Sequence, residues 1–208
     1  MAKDLHEFVK QIEGTLPDDF VKIDREVDPA NFDVAAILQH LENRGEQPMV
    51  LFERPLNLRG EVSGTPILVN VFATRERCAV ALDLDHTKPD LPLSLGYSEL
   101  GRHPVKPVVI PAGEAPIKEI VRSGSDIDTR DLPIVIHSEG DYGPCLTMAL
   151  AVRDPESGSY NASFIKAFYD FEDDRRLRIT IHSPDSERAL RYYEERDLPM
   201  PIVAVLGH

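Results

Sequence analysis

The sequence contains no tryptophan, only two cysteines and no long run of apolar residues, and these shortages exclude several classes of protein. No apolar stretch approaches the roughly 18 residues that a transmembrane helix requires. The polar start, residues 1–10, lacks the apolar region of a secretory signal. Cys78 and Cys145 stand in unrelated contexts, so we expect reduced thiols rather than a disulfide framework. The sequence therefore predicts a cytoplasmic chain that does not interact with a membrane.

Basic residues are also few, since 23 Lys and Arg stand against 36 Asp and Glu, a formal net charge of −13. Nucleic-acid binding depends on Lys and Arg side chains that neutralise phosphates, so the charge argues against a nucleic-acid partner. Solubility alone is an adequate reason for the acidity. The composition, 42% hydrophobic over 208 residues, is that of a globular chain of one or two domains.

The first half of the chain alternates amphipathic helices with short apolar strands. Helical spacing of apolar residues predicts a helix that begins near Leu5 and is ended by Gly14. The same spacing predicts a second helix over residues 34–41, with Asp28 as its cap and Pro29 in its first turn. This alternation predicts an α/β domain over residues 1–105. Its other predicted elements are strands at 49–52 and 66–72, the latter apolar on nearly both faces and therefore buried, and a helix at 74–84.

After a Pro- and Gly-rich segment, residues 101–116, the hydrophobic period changes from that of a helix to that of a strand. Met148, Leu150 and Val152 alternate with small or polar residues. The pattern predicts a second domain, 106–208, that begins a β-barrel or sandwich as an antiparallel meander and whose remaining strands are absent. The predicted elements are strands at 147–152, 160–168 and 177–182, a turn at 154–158, a helix that opens at Ser183 and Pro184, and a strand at 201–206.

Strand alternation also indicates candidate ligand residues. Asn161 and Ser163 share one face of the strand 160–168, while His182 shares a face of the strand 177–182 with other polar residues. If the two strands pair, Asn161, Ser163 and His182 line one polar surface. Their amide, hydroxyl and imidazole groups suit a divalent metal and a phosphate. The same pattern also fits the exposed polar face of a two-sided sheet.

Two further segments each permit two interpretations. Residues 137–144 contain titratable side chains and two glycines just before a strand, which fits either a ligand-binding loop or an ordinary surface loop. The arginines at 175–178 can bind a phosphate. They follow three acidic residues, however, and are therefore also typical of a solvated hairpin tip.

An ordered set of segments along the whole chain resembles the UbiD family of decarboxylases. No single segment is a specific motif, but their order and spacing agree with the family throughout. The segments are 23–29, 67–74, 116–121, 124–128, 132–134, 143–144, Thr147, 153–158, Asn161, His182, 192–194 and 199–202.

The resemblance implies a fold and a chemistry. It implies an α+β chain with an N-terminal α/β domain, followed by the first part of a split β-barrel like that of flavin-binding proteins. The implied activity is the reversible removal of CO2 from an aromatic or α,β-unsaturated carboxylic acid. The implied cofactor is prenylated flavin mononucleotide (prFMN), supplied by a separate flavin prenyltransferase and acting as an electron sink. The full-length protein is expected to form homo-oligomers.

The resemblance also assigns residues to the site. A divalent metal, usually Mn²⁺, and K⁺ are expected at the cofactor phosphate. An Asn, a His and a Glu hold the divalent metal. Asn161 and His182 match the first two ligands, and the Glu lies beyond the chain. The positions that match those lining the cofactor are Thr147, Ser163, Phe164, Ile165, Lys166 and His182.

Lys166 is the one departure from the family pattern at a catalytic position. The family places there an Arg that bridges two Glu residues, one of which delivers a proton. Lysine keeps the charge but lacks the planar fork of a guanidinium. We expect the 208 residues alone to be inactive. Two alternatives remain open: a non-catalytic or assembly subunit of the same family, and a split-barrel oxidoreductase that uses unmodified FMN.

Overall fold

The computed structural model describes residues 4–207, which form two compact units. The first unit holds a three-stranded sheet with helices, and the second holds a four-stranded antiparallel sheet, so the predicted α+β class is confirmed. The predicted domain boundary at 105/106 stays a prediction. The first unit comprises residues up to 27, 37–55 and 64–128, and the second comprises 28–36, 56–63 and the residues from 129 onward.

The elements follow one another along the chain with short 3₁₀ helices between them. The α-helices are α1 (Leu5–Thr15), α2 (Asp33–Asn43), α3 (Arg75–Ala81), α4 (Leu91–Leu100) and α5 (Pro184–Glu194). The strands are β1 (Phe20–Val27), β2 (Met49–Pro55), β3 (Ile67–Val69), β4 (Cys145–Arg153), β5 (Tyr160–Tyr169), β6 (Leu177–Ile179) and β7 (Ile202–Val205). None of the helices in the described part of the chain is long and apolar enough to cross a membrane.

Helix α1 carries the core of the first unit. It begins where Asp4 accepts a hydrogen bond of 2.7 Å from the Glu7 amide, which satisfies one of the free N–H groups of the first turn. Its apolar stripe then buries Phe8 and Ile12 against Met49 and Val80. The helix predicted from residue spacing is thereby confirmed.

The sheet of the first unit has the order β1-β2-β3, with β1 parallel to β2 and β2 antiparallel to β3. Strand β1 is absent from the prediction because charged residues occupy much of it and mask the alternation. The strand predicted at 66–72 is shorter than expected and only half-buried. It ends at Val69 because Asn70 has a φ of 57°, which is incompatible with extended backbone.

The predicted start of α2 is wrong. Asp28 caps a separate 3₁₀ helix, Pro29–Asn31, by accepting a hydrogen bond of 3.1 Å from the Ala30 amide. Phe32 then takes a left-handed conformation with a φ of 66°, and α2 begins only at Asp33. The helix α4 is also absent from the prediction, because its apolar residues are not confined to one face.

The second unit is built on the sheet β6-β5-β4-β7, in which all neighbours are antiparallel. The predicted meander and the predicted alternation of β4 are confirmed. Ala189 of α5 belongs to the core on one face of this sheet, and Ser186 of the same helix is fully buried. The other buried members of that core are Met148, Leu150, Val152, Ile165 and Ala167.

Candidate functional site

The register of β4 and β5 divides the predicted site residues between the two faces of the sheet. On the exposed face, Lys166 lies opposite Thr147, and Phe164 lies opposite Ala149. On the packed face, Asn161 pairs with Val152, Ser163 pairs with Leu150, and Ile165 pairs with Met148. The cofactor-lining residues implied by the family resemblance therefore do not form one surface.

Strand pairing does not by itself place Asn161, Ser163 and His182 on one polar surface. Directly opposed residues of antiparallel strands share a face, and Arg178 is opposed to Phe168 on the exposed side. Arg178, the polar residue of β6, therefore lies on the face opposite to that of Asn161. Strand β6 also ends at Ile179, so His182 lies outside it and is exposed.

The Asn161 side chain is nonetheless held beside the segment that contains His182. Its amide nitrogen donates hydrogen bonds of 3.0 Å to Ser183 Oγ and 3.1 Å to Ser186 Oγ. Both amide hydrogens are thereby used, and Oδ1 is the atom that can face a metal ion. Because Ser183 directly follows His182, the two predicted ligands belong to adjoining segments.

The residues present fit part of a metal site. Amide oxygen and imidazole nitrogen are both common ligands of divalent cations. Among residues 4–207, no three His, Cys, Asp or Glu side chains cluster closely enough to hold a metal ion. Asn161 and His182 offer two side chains of suitable chemistry for such a site.

A small cavity of about 170 Å³ borders Asn161 and brings in residues absent from the sequence prediction. Arg188 lines it and donates a hydrogen bond of 3.0 Å to Asp154 Oδ2. The other oxygen of Asp154 accepts from the amides of Ser157 and Glu156. The Ser157 amide and the Arg188 guanidinium hold the pKa of Asp154 well below its ordinary value. Arg188 stands two positions after Ser186 and does not share its helix face, so the spacing of residues in the sequence gives no signal for it.

The Ser163 hydroxyl is buried and makes no hydrogen bond to another described residue. Within the described residues, its Oγ is the buried side-chain oxygen or nitrogen for which no hydrogen-bond partner is found. A buried polar group without a partner costs about 1–3 kcal/mol, so such groups call for a ligand or another explanation. Ser163 is one of the positions that the family resemblance assigns to the cofactor.

The exposed face of the same sheet presents an ion pair between Lys166 and Asp141. The Lys166 Nζ and the Asp141 Oδ1 are 4.0 Å apart. The second oxygen of Asp141 accepts hydrogen bonds of 3.0 and 3.1 Å from the amides of His137 and Ser138. The loop 137–144 therefore reaches the exposed face of the sheet and contacts a predicted catalytic residue.

The charges of this pair influence two neighbouring groups. Burial lowers the pKa of the His137 imidazole, Asp141 opposes this effect, and Lys166 adds to it. Burial also raises the pKa of the Cys145 thiol, where Asp141 acts in the same direction and Lys166 in the opposite one. A base and a thiol, both kept neutral by burial, thus lie near the ion pair.

Aromatic side chains share the exposed face of β5 with Lys166. Phe164 is 85% exposed and Tyr160 is 78% exposed, although both are large and apolar. Ala162 pairs with Ala151 between them, so only small side chains separate the two rings. Such a surface suits a planar ring system that stacks on it.

The arginines at the hairpin tip pair with a neighbouring carboxylate instead. Arg175 and Arg176 lie 3.0 and 3.1 Å from the two carboxylate oxygens of Asp173, and both are exposed. These contacts favour the hairpin-tip interpretation over a phosphate site.

Comparison with protein families identifies the chain. Residues 17–90 match the N-terminal domain of 3-octaprenyl-4-hydroxybenzoate carboxy-lyase, and residues 108–208 match the Rift-related domain of the same family, UbiD. The chain belongs to the UbiD family. The family resemblance described from the sequence is therefore confirmed.

Solved structures of UbiD-class enzymes are similar over the whole chain. Vanillic acid decarboxylase of Sedimentibacter hydroxybenzoicus, in its closed form, is 26% identical with a TM-score of 0.83 over 100% of this chain and 43% of that enzyme. An evolved dimeric form of HmfF from Pelotomaculum thermopropionicum, in complex with prFMN, is 26% identical with a TM-score of 0.81, covering 99% of this chain and 44% of HmfF.

The curated relatives are also much longer than this chain. An uncharacterized protein of Synechocystis, sll0936, is 28% identical over all of this chain, which covers 43% of that protein. The UbiD-family chain thus spans less than half the length of the proteins that it resembles.

Proposed function

We propose that the full-length protein is a prFMN-dependent decarboxylase, with part of its site on β5 and the segment that follows β6. The observation that carries this proposal is the orientation of Asn161. Two hydroxyls hold its amide nitrogen, which leaves the amide oxygen for a ligand, and one of these hydroxyls belongs to Ser183, the residue that follows His182. In this proposal Asn161 and His182 hold Mn²⁺ or another divalent metal, with K⁺ at the cofactor phosphate.

The cofactor is proposed to contact Thr147, Phe164 and Lys166 on the exposed face of β4 and β5, where a planar ring can stack. Ser163 and Ile165 lie on the packed face of the same sheet, so no contact with the flavin ring is proposed for them. The HmfF complex contains prFMN, which supports the same cofactor in this chain. When bound, prFMN supplies an electron sink for the carbanion that remains after CO2 departs.

Lys166 is the proposed catalytic residue of this chain. Its ammonium group is a positive charge on the exposed face, where it can attract the carboxylate of an unsaturated acid and orient it. The loop 137–144 reaches that face, and the aromatic side chains of Phe164 and Tyr160 stand on it. The vanillic acid decarboxylase neighbour acts on an aromatic acid, which supports aromatic or α,β-unsaturated carboxylic acids as the substrate class.

The partners follow from the same proposal. A flavin prenyltransferase supplies the cofactor, and the full-length protein assembles as a homo-oligomer, in line with the dimeric HmfF. Residues 1–208 alone are proposed to be inactive, because only two of the three metal ligands are assigned among them.

The second candidate is a non-catalytic or assembly subunit, and Lys166 is the observation that favours it. A lysine cannot make the bidentate contacts of the arginine that the family resemblance places there. The Lys166→Arg variant distinguishes the two candidates. A subunit that has lost catalysis gains turnover with Arg, whereas an enzyme adapted to lysine loses turnover.

The test is decarboxylation by the full-length protein, produced together with a flavin prenyltransferase in Mn²⁺ and K⁺. A panel of aromatic, heteroaromatic and acrylic acids is screened for CO2 release. We expect turnover of at least one acid, its loss in Lys166→Ala, and no change in Lys118→Ala. No turnover of any acid, with prFMN and metal bound, would contradict the proposal and favour the non-catalytic subunit.

A further inference from the structure

Asp141 is fixed more firmly than a surface carboxylate normally is. Its Oδ2 accepts two backbone hydrogen bonds, from His137 and Ser138, and its own amide donates one of 3.1 Å to the Ser138 carbonyl. The side chain is only 12% exposed. These contacts leave Asp141 little conformational freedom, so its position is set by the backbone of the loop.

The Lys166 side chain, in contrast to that of Asp141, is flexible and largely exposed. Its side chain is 57% exposed and ends in a compact charge on a stem of four rotatable bonds. The strand fixes where the stem starts, since Lys166 lies opposite Thr147 in the register of β4 and β5. The Asp141 oxygen 4.0 Å away is the charged group that can fix where the stem ends.

We propose that Asp141 is the positioning residue for the Lys166 ammonium group on the exposed face of the sheet. The inference rests on the proposed function, in which Lys166 meets the substrate carboxylate. It adds a carboxylate within this chain that orients the lysine before any substrate is bound. A preoriented charge loses less entropy when the substrate arrives.

The test is an NMR measurement of side-chain order on the 208-residue chain, which requires neither cofactor nor turnover. The order parameter of the Lys166 ammonium group is compared with those of the exposed Lys106 and Lys118. We expect Lys166 to be the most ordered of the three, and Asp141→Asn to lower its order to their level. The asparagine can still accept both loop hydrogen bonds. Glu139→Gln, which removes one negative charge from the same loop, is the matched control and leaves the order of Lys166 unchanged.

A second variant keeps the proposal testable if Asp141→Asn disturbs the loop. Lys166→Met removes the charge that lowers the pKa of His137, so this pKa rises when the ammonium is held near Asp141. Unchanged Lys166 order in Asp141→Asn, or an unchanged His137 pKa in Lys166→Met, would overturn the proposal. Neither measurement requires bound prFMN. If the proposed function alone is wrong, the full-length protein shows no turnover while the ammonium group of Lys166 is still ordered by Asp141.

Discussion

The side-chain amide of Asn161 donates a hydrogen bond of 3.0 Å to the hydroxyl of Ser183, the residue after His182. This contact ties the middle strand β5 to the residue at the N-cap of α5. It fixes which end of the Asn161 amide is available to a ligand. The proposed metal site therefore depends on the packing of a strand against the start of a helix.

Asn161→Ala is expected to abolish metal retention by the full-length protein, because it removes the amide oxygen that serves as ligand. The metal-to-flavin ratio, measured by elemental analysis after desalting, should fall at least tenfold. Asn43→Ala, at an exposed asparagine of α2, is the control and should leave the metal content unchanged. Equal metal content in Asn161→Ala and the unmodified protein would exclude Asn161 as a ligand.

Gly143→Ala is expected to destabilise the loop that carries Asp141. Gly143 has a φ of 134°, and a Cβ there would lie 3.0 Å from the Phe171 ring. The cost should be about 1–3 kcal/mol in the free energy of unfolding, measured by urea denaturation. Gly140→Ala, in the same loop with its nearest atom at 3.8 Å, should be nearly neutral. Equal effects of the two substitutions would show that the conformation of Gly143 is not required.

Arg77→Met is expected to destabilise the first unit strongly. The guanidinium is fully buried, pairs with Asp19, and donates to the carbonyls of Gln47 (2.7 Å) and Asn70 (2.9 Å). Removal of the guanidinium leaves the Asp19 carboxylate and the carbonyls of Gln47 and Asn70 without this partner, which costs about 3–5 kcal/mol. Urea denaturation should show this loss, whereas Arg44→Met, at an exposed ion pair, should cost about 1 kcal/mol or less. A loss below that of Arg44→Met would contradict this account of Arg77.

Asp154→Asn is expected to reduce stability at neutral pH and to reduce it by less in acid. The folded state lowers the pKa of Asp154 below its ordinary 3.8, chiefly through the Ser157 amide and Arg188. The carboxylate therefore stabilises the fold above pH 3.8, and this contribution is lost as the pH falls below it.

The measurement for Asp154 is the melting temperature of the original chain and the variant at pH 7 and at about pH 3. The difference between the two proteins should narrow in acid. Glu156→Gln removes the same charge from the same turn while leaving the Asp154 contacts in place, so it should show no such narrowing. A constant difference at both pH values would mean that the hydrogen bonds do not favour the charged form.

Residue periodicity was sufficient to predict the packed sheet of the second unit. Met148, Leu150 and Val152 are buried as their alternation predicts, because one side of β4 faces the core. The sequence alone could not predict which side chains of β5 and β6 share a face of the sheet. Alternation predicted a strand as far as His182, whereas β6 ends at Ile179, and the face that its Arg178 occupies depends on the register of β5 and β6.

The remaining misses also have local physical causes. Strand β1 is charged along much of its length, so its amino acids do not alternate clearly between apolar and polar. The 3₁₀ helix at Asp28 depends on a left-handed Phe32, an unusual conformation for a bulky residue. The ion pair between Asp141 and Lys166 joins residues 25 positions apart, and only the tertiary fold brings them together.

Native mass spectrometry of the full-length protein, produced with a flavin prenyltransferase in Mn²⁺ and K⁺, tests the central claim most directly. The account predicts one prFMN and one divalent metal per chain, with the metal lost in Asn161→Ala. Retention of unmodified FMN without a metal, reduced by NAD(P)H, would contradict it and favour an ordinary flavin oxidoreductase.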